Sequence, residues 1–149
     1  MRRCVAARWL LLSFASIASA NILGRMALAD DIPCSFAVGE VWTVRSGSGA
    51  KVVIGRVEEW RGETAVHVAI TDVKIPVGYP GAGTVTEIAD APFQCASLKG
   101  SVEALVGTGV EPPQGFEDGY RQWRDARGGI FTTSVSDVIA LMLTKRPGN

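Results

Sequence analysis

Histidine occurs once in this 149-residue chain, cysteine three times and tyrosine twice. With one histidine and no H-E-x-x-H there is no helix-borne zinc pair, and without C-x-x-C no ligand pair stands at metal spacing. P-loop, G-x-S-x-G, EF-hand and N-glycosylation patterns are also missing. No apolar run reaches the roughly 20 residues that a spanning helix needs. The chain is too short for a TIM barrel or a kinase, and its 47% hydrophobic and 20% charged residues suit one globular domain.

What is present first is an address. Met1-Arg2-Arg3 supplies a positive start, Trp9 to Leu23 an uncharged apolar stretch, and Ala18-Ser19-Ala20 and Ala27-Leu28-Ala29 two small-x-small patterns. That order reads as a secretory signal peptide over 1–29, cleaved after Ala29 (alternatively Ala20), ahead of a single domain over 30–149; an uncleaved anchor is the rival reading. Cleavage would remove Arg2, Arg3, Arg8 and Arg25 and leave 11 basic against 15 acidic side chains, a net charge of −4. An acidic exported domain lacks the positive surface that displaces counterions from phosphate, so nucleic acid is not an expected partner. The membrane would be met only through the leader.

Cys4 leaves with that leader, so Cys34 and Cys95 remain as the one possible pair in an oxidising compartment. Closing a loop of about 60 residues would stabilise the fold by about 4 kcal/mol in the chain-entropy picture.

The first half of the domain reads as strands. Glu40 to Arg45 and Lys51 to Trp60 are β-branched runs around Ser46-Gly47-Ser48-Gly49, and Arg61-Gly62 turns into Glu63 to Val73. In the last of these Val66, Val68 and Ile70 share the face expected to meet the core, while Ala65, His67 and Ala69 share the other, which is either partly exposed or covered by a helix. Pro76 to Gly83 is a surface loop and Thr84 to Ala89 a short strand.

The second half changes period. Cys95, Leu98, Val102 and Leu105 recur at spacings of three and four, which predicts an amphipathic helix from Pro92 to just before Gly107, with Gly100 as a point at which it bends or breaks. Phe116, Tyr120 and Trp123 mark another, closed by Gly128-Gly129. Ile130 to Thr133 reads as a short strand, and Ser134 caps a last helix through Val138, Ile139 and Met142. The expectation is an α+β fold with a small antiparallel sheet of about four to five strands, two to three helices and one disulfide.

Phe36-Ala37-Val38-Gly39-Glu40-Val41-Trp42 resembles the F-x-V-G-x-V-W opening of a group of small uncharacterised bacterial exported proteins; Ala91-Pro92-Phe93 and Gly119-Tyr120-Arg121-Gln122-Trp123 are similar to its later segments. The resemblance covers about twenty residues and implies no activity, cofactor or catalytic residue. It supports reading 34–146 as one unit.

Each candidate for chemistry meets a plainer reading. His67 needs a carboxylate or hydroxyl within reach to act as a base, and Asp72 falls on the opposite strand face. Ser48-Gly49-Ala50-Lys51 matches S-x-x-K but sits in a turn without S-D-N or K-T-G. Glu58 and Glu59 are neighbours on one strand and point to opposite faces. Gly81-Ala82-Gly83-Thr84 lacks the strand–helix setting of a phosphate loop. No catalytic, metal or cofactor residue is assigned. Tyr79, Arg121 and Arg124 are the candidate contact surface, because aromatics and arginine are favoured in interface centres. The expected function is a non-catalytic binding or inhibitor-type module for an envelope protein or ligand, periplasmic or secreted. The alternatives are a small envelope hydrolase using His67 and a structural subunit of an envelope assembly.

Overall fold

The computed structural model describes residues 34–46 and 48–145, all within one packing unit. The leader and both cleavage positions, Ala20 and Ala29, lie outside the described residues.

Among the described residues five strands form one antiparallel sheet: β1 (Val41–Val44), β2 (Lys51–Trp60), β3 (Glu63–Lys74), β4 (Val85–Gln94) and β5 (Val102–Gly107), in the order β4-β3-β2-β1-β5. Three helices among the described residues accompany the sheet: α1 (Cys95–Ser101), α2 (Phe116–Asp125) and α3 (Val135–Thr144). The fold is α+β, and Cys34 is disulfide-bonded to Cys95, with Cα atoms 5.8 Å apart. Arg61-Gly62 makes the two-residue β2–β3 turn with both residues at positive φ, the geometry that matches strand twist.

Alternation in β3 separates two buried faces. Val66, Val68, Ile70 and Val73 pack with Val52 and Ile54 of β2 under Leu98 of α1 and Val135 and Val138 of α3. The opposite face carries Ala65, His67 and Ala69, and these are as fully buried as the valines. α2 covers this face: Phe116 packs with Val41, Val53 and Ala69. The helix comes down close because glycines meet it. A Cβ on Gly55 would collide with the Phe116 ring, and one on Gly119 would stand 2.9 Å from the Asp90 Cβ.

Two expected elements differ. β4 does not stop at Ala89 but continues to Gln94, so Pro92 is a strand residue opposite His67, not the first turn of a helix. The helix expected up to Gly107 ends at Ser101, and Val102 to Gly107 pairs with β1 instead. Cys95, Leu98 and Val102 are buried as the stripe required, whereas Leu105 is exposed. A free edge on β1, satisfied through pairs such as Val44 with Val102, outcompetes continuing a short helix already weakened at Gly100 past Ser101. Ile130 to Thr133 makes only an isolated parallel bridge, Phe131 with Phe93.

Candidate functional site

The only histidine lies at the centre of the face under α2. A register irregularity between Ile54 and Arg56 keeps Arg56 and then Glu58 on that face of β2, and a second one, opposite Val68 to Ile70, accompanies Asp90 on β4. His67 thus stands between two carboxylates: Nδ1 is 3.0 Å from Asp90 Oδ1 and Nε2 is 3.3 Å from Glu58 Oε1. A carboxylate only accepts, so the Asp90 contact places a ring proton on Nδ1. The Glu58 contact has ion-pair distance without hydrogen-bond geometry, and Nε2 and Oε1 both lack a hydrogen-bond partner.

The helix roofs this cluster with rings. Tyr120 and Trp123 stand edge-on to the imidazole, with centroids 5.0 and 4.4 Å away. The Tyr120 hydroxyl donates to Glu58 Oε2 (3.3 Å) and accepts from Arg124 Nη1 (2.8 Å). The Arg56 guanidinium lies 4.2 Å over the Tyr120 ring and pairs with Glu117. Trp60 packs on Trp123, and the two indole N–H groups donate to Gly128 and Gly129 carbonyls, which fixes the end of the helix.

Chemically this is an oriented imidazole with a carboxylate on each side, the parts of a proton relay. Its accessibility argues otherwise: His67 is 0% exposed. Open clefts among the described residues include one of about 320 Å³ along Glu111–Glu117 and one of about 180 Å³ beside Trp60 and Ile130, and neither of these is lined by His67. Among the described residues no group of His, Cys, Asp or Glu is placed to hold a metal ion.

Asp72 is taken up by Lys51 at 2.8 Å, away from the cluster. Glu59 faces outward and accepts from Thr64, while Glu58 turns in, as alternation requires. Sequence reasoning missed Asp90 and the Glu58–His67 approach. A signal for Asp90 exists: an acid inside the apolar run Ile88 to Phe93 must find a partner if the run is a buried strand.

The candidate contact residues are not brought together. Arg121 pairs with Asp118, and Arg124 with Tyr120, both on α2. Tyr79 is half-buried in the β3–β4 loop, beyond Lys74; six residues of β3 lie between Lys74 and His67, which puts the two about 23 Å apart along the strand. That loop is tied to itself. Tyr79 N–H donates to Pro76, Ala82 to Tyr79, Gly83 to Ile75 and Thr84 to Gly81, each within 3.3 Å. In its first turn Val77 is 95% exposed.

No family model, no curated protein and no solved structure matches this chain.

Proposed function

We propose that this chain is an exported, non-catalytic binding module for an envelope protein or its ligand, with the Pro76–Gly83 loop as its contact element. The observation that carries this reading is Val77: a 95% exposed aliphatic side chain in the first turn of a loop whose backbone is already hydrogen-bonded into successive turns. Ordering a loop on binding costs free energy, and a loop ordered beforehand avoids much of that cost. No charged residue lies between Ile75 and Thr84, so an uncharged concave surface is the complementary partner. The Cys34–Cys95 bond supports an oxidising compartment. Affinity capture from envelope extract tests the proposal. Val77→Asp should lose the captured partner with an unchanged melting temperature, and equal capture by both proteins would reject the loop.

A second reading, a small hydrolase, draws on Asp90 and Glu58 beside His67. It requires a hydrolytic activity of the exported chain that disappears in Glu58→Gln; the full burial of the imidazole favours the binding module.

A further inference from the structure

The face beneath α2 is unlike the other face of the sheet. The valine face is closed by apolar packing, whereas α2 closes over an imidazole, two carboxylates and a guanidinium. Three buried polar atoms there, Arg56 Nε, Glu58 Oε1 and His67 Nε2, have no hydrogen-bond partner. A partly satisfied buried network costs more than it returns, so the closed position of α2 gives up part of what its rings gain by burial.

The helix is also bounded at both ends by residues at positive φ. Pro112-Pro113-Gln114 leads to Gly115, the N-cap at φ 97° with no side-chain cap, and the far end leaves through Arg127 at φ 49° and Gly128-Gly129. α1 is held by the disulfide, and α3 by the Val135 N–H donating to Ser101 Oγ. α2 has no disulfide; side-chain contacts hold it, together with the Trp60 and Arg61 side chains, which donate to the Gly128 and Arg127 carbonyls just beyond its last turn. β3 beneath it is paired along both edges and buried without interruption from Ala65 to Ile70.

We infer that α2 is a lid: it lifts from the sheet as a unit, while the sheet stays folded, and exposes the His67–Glu58–Asp90 cluster. Cooperative units held by fewer buried contacts open well below the free energy of global unfolding. The inference is independent of the loop reading above, since it concerns the other end of β3.

Because the chain has one histidine, carbethoxylation by diethyl pyrocarbonate reads this imidazole alone among histidines. The rate in the native protein divided by the rate in the guanidinium-denatured protein gives the open fraction at one fixed pH. We expect that fraction to exceed the globally unfolded fraction, taken from equilibrium denaturation, by more than about tenfold, and to change little in low urea. Trp123→Ala should raise it about tenfold further while amide exchange in β3 keeps its wild-type protection. A native rate equal to that expected from global unfolding, with the same steep urea dependence, would overturn the lid, as would a Trp123→Ala effect shared in full by the β3 amides.

Discussion

Gly119 of α2 and Asp90 of β4 approach so closely that a Cβ on the glycine would lie 2.9 Å from the aspartate Cβ. Glycine inside a helix costs about 1 kcal/mol relative to alanine, so propensity alone favours replacing it. The contact reverses the sign. Asp90 is held by His67 and its side chain is 2% exposed, so it has little room to retreat. Gly119→Ala should therefore lose about 1–3 kcal/mol, as overpacked sites do. Guanidinium denaturation measures it, and a stabilised variant would show that the approach is not limiting.

His67 should be worth more than its area. His67→Ala removes the hydrogen-bond partner of a buried carboxylate and leaves a cavity under Tyr120 and Trp123, a combined cost of about 3 kcal/mol or more. Asp90→Ala should cost clearly less in the His67→Ala background than alone, since the coupled partner is already gone. A double-mutant cycle reads this difference directly, and strict additivity would mean that the 3.0 Å contact contributes nothing.

These two sites also mark where sequence reasoning stops. β2 is legible to the residue because β-branched residues fill it between turn-forming neighbours, and α2 because Phe116, Tyr120 and Trp123 recur at helical spacing. Alternation also set Ala65, His67 and Ala69 on one face but left it either partly exposed or covered by a helix, and that face is buried under α2. The stretch from Pro92 to Gly107 misleads because Cys95, Leu98 and Val102 satisfy the period of a helix although only the first two are on one. What settles Val102 to Gly107 is an edge offered by β1, about sixty residues away, and no local pattern encodes it. The cluster around His67 was hidden for the same reason: register irregularities accompany Arg56, Glu58 and Asp90 on that face, and they belong to strand pairs.

The Cys34–Cys95 bond closes a loop of 61 residues that contains β1 to β4. Replacing both cysteines by serine should lower the stability by about 4 kcal/mol in the chain-entropy picture, less any strain released. For a domain with a total of about 5–15 kcal/mol that is a large share, and α1 loses its tether as well. Comparing guanidinium midpoints with and without reductant should give the same loss for the wild type and none for the double variant. An unchanged midpoint on reduction would show that the strands and α1 hold the described end of the chain unaided.

The start of α3 ties stability to acid. Ser134 Oγ donates to the Asp137 carboxylate and accepts from its backbone N–H, and Thr133 Oγ1 donates to the same carboxylate oxygen. The Ser134 hydroxyl foremost, and the Thr133 hydroxyl after it, hold the Asp137 carboxyl below its usual value of 3.8. A carboxyl whose pKa is depressed by folding contributes stability that is complete above its ordinary pKa. That contribution is lost as the pH falls through the lower, folded value. Carbon-detected NMR titration should therefore place the Asp137 midpoint below 3.8 in the folded protein and nearer to it in Ser134→Ala. Losing the serine also removes an N-cap, a cost of about 1 kcal/mol at neutral pH. Because protonated Asp137 no longer accepts these bonds, the gap in stability between the wild type and Ser134→Ala should narrow below about pH 4. A gap that stays constant down to the acid limit would mean that the serine works through the backbone N–H alone.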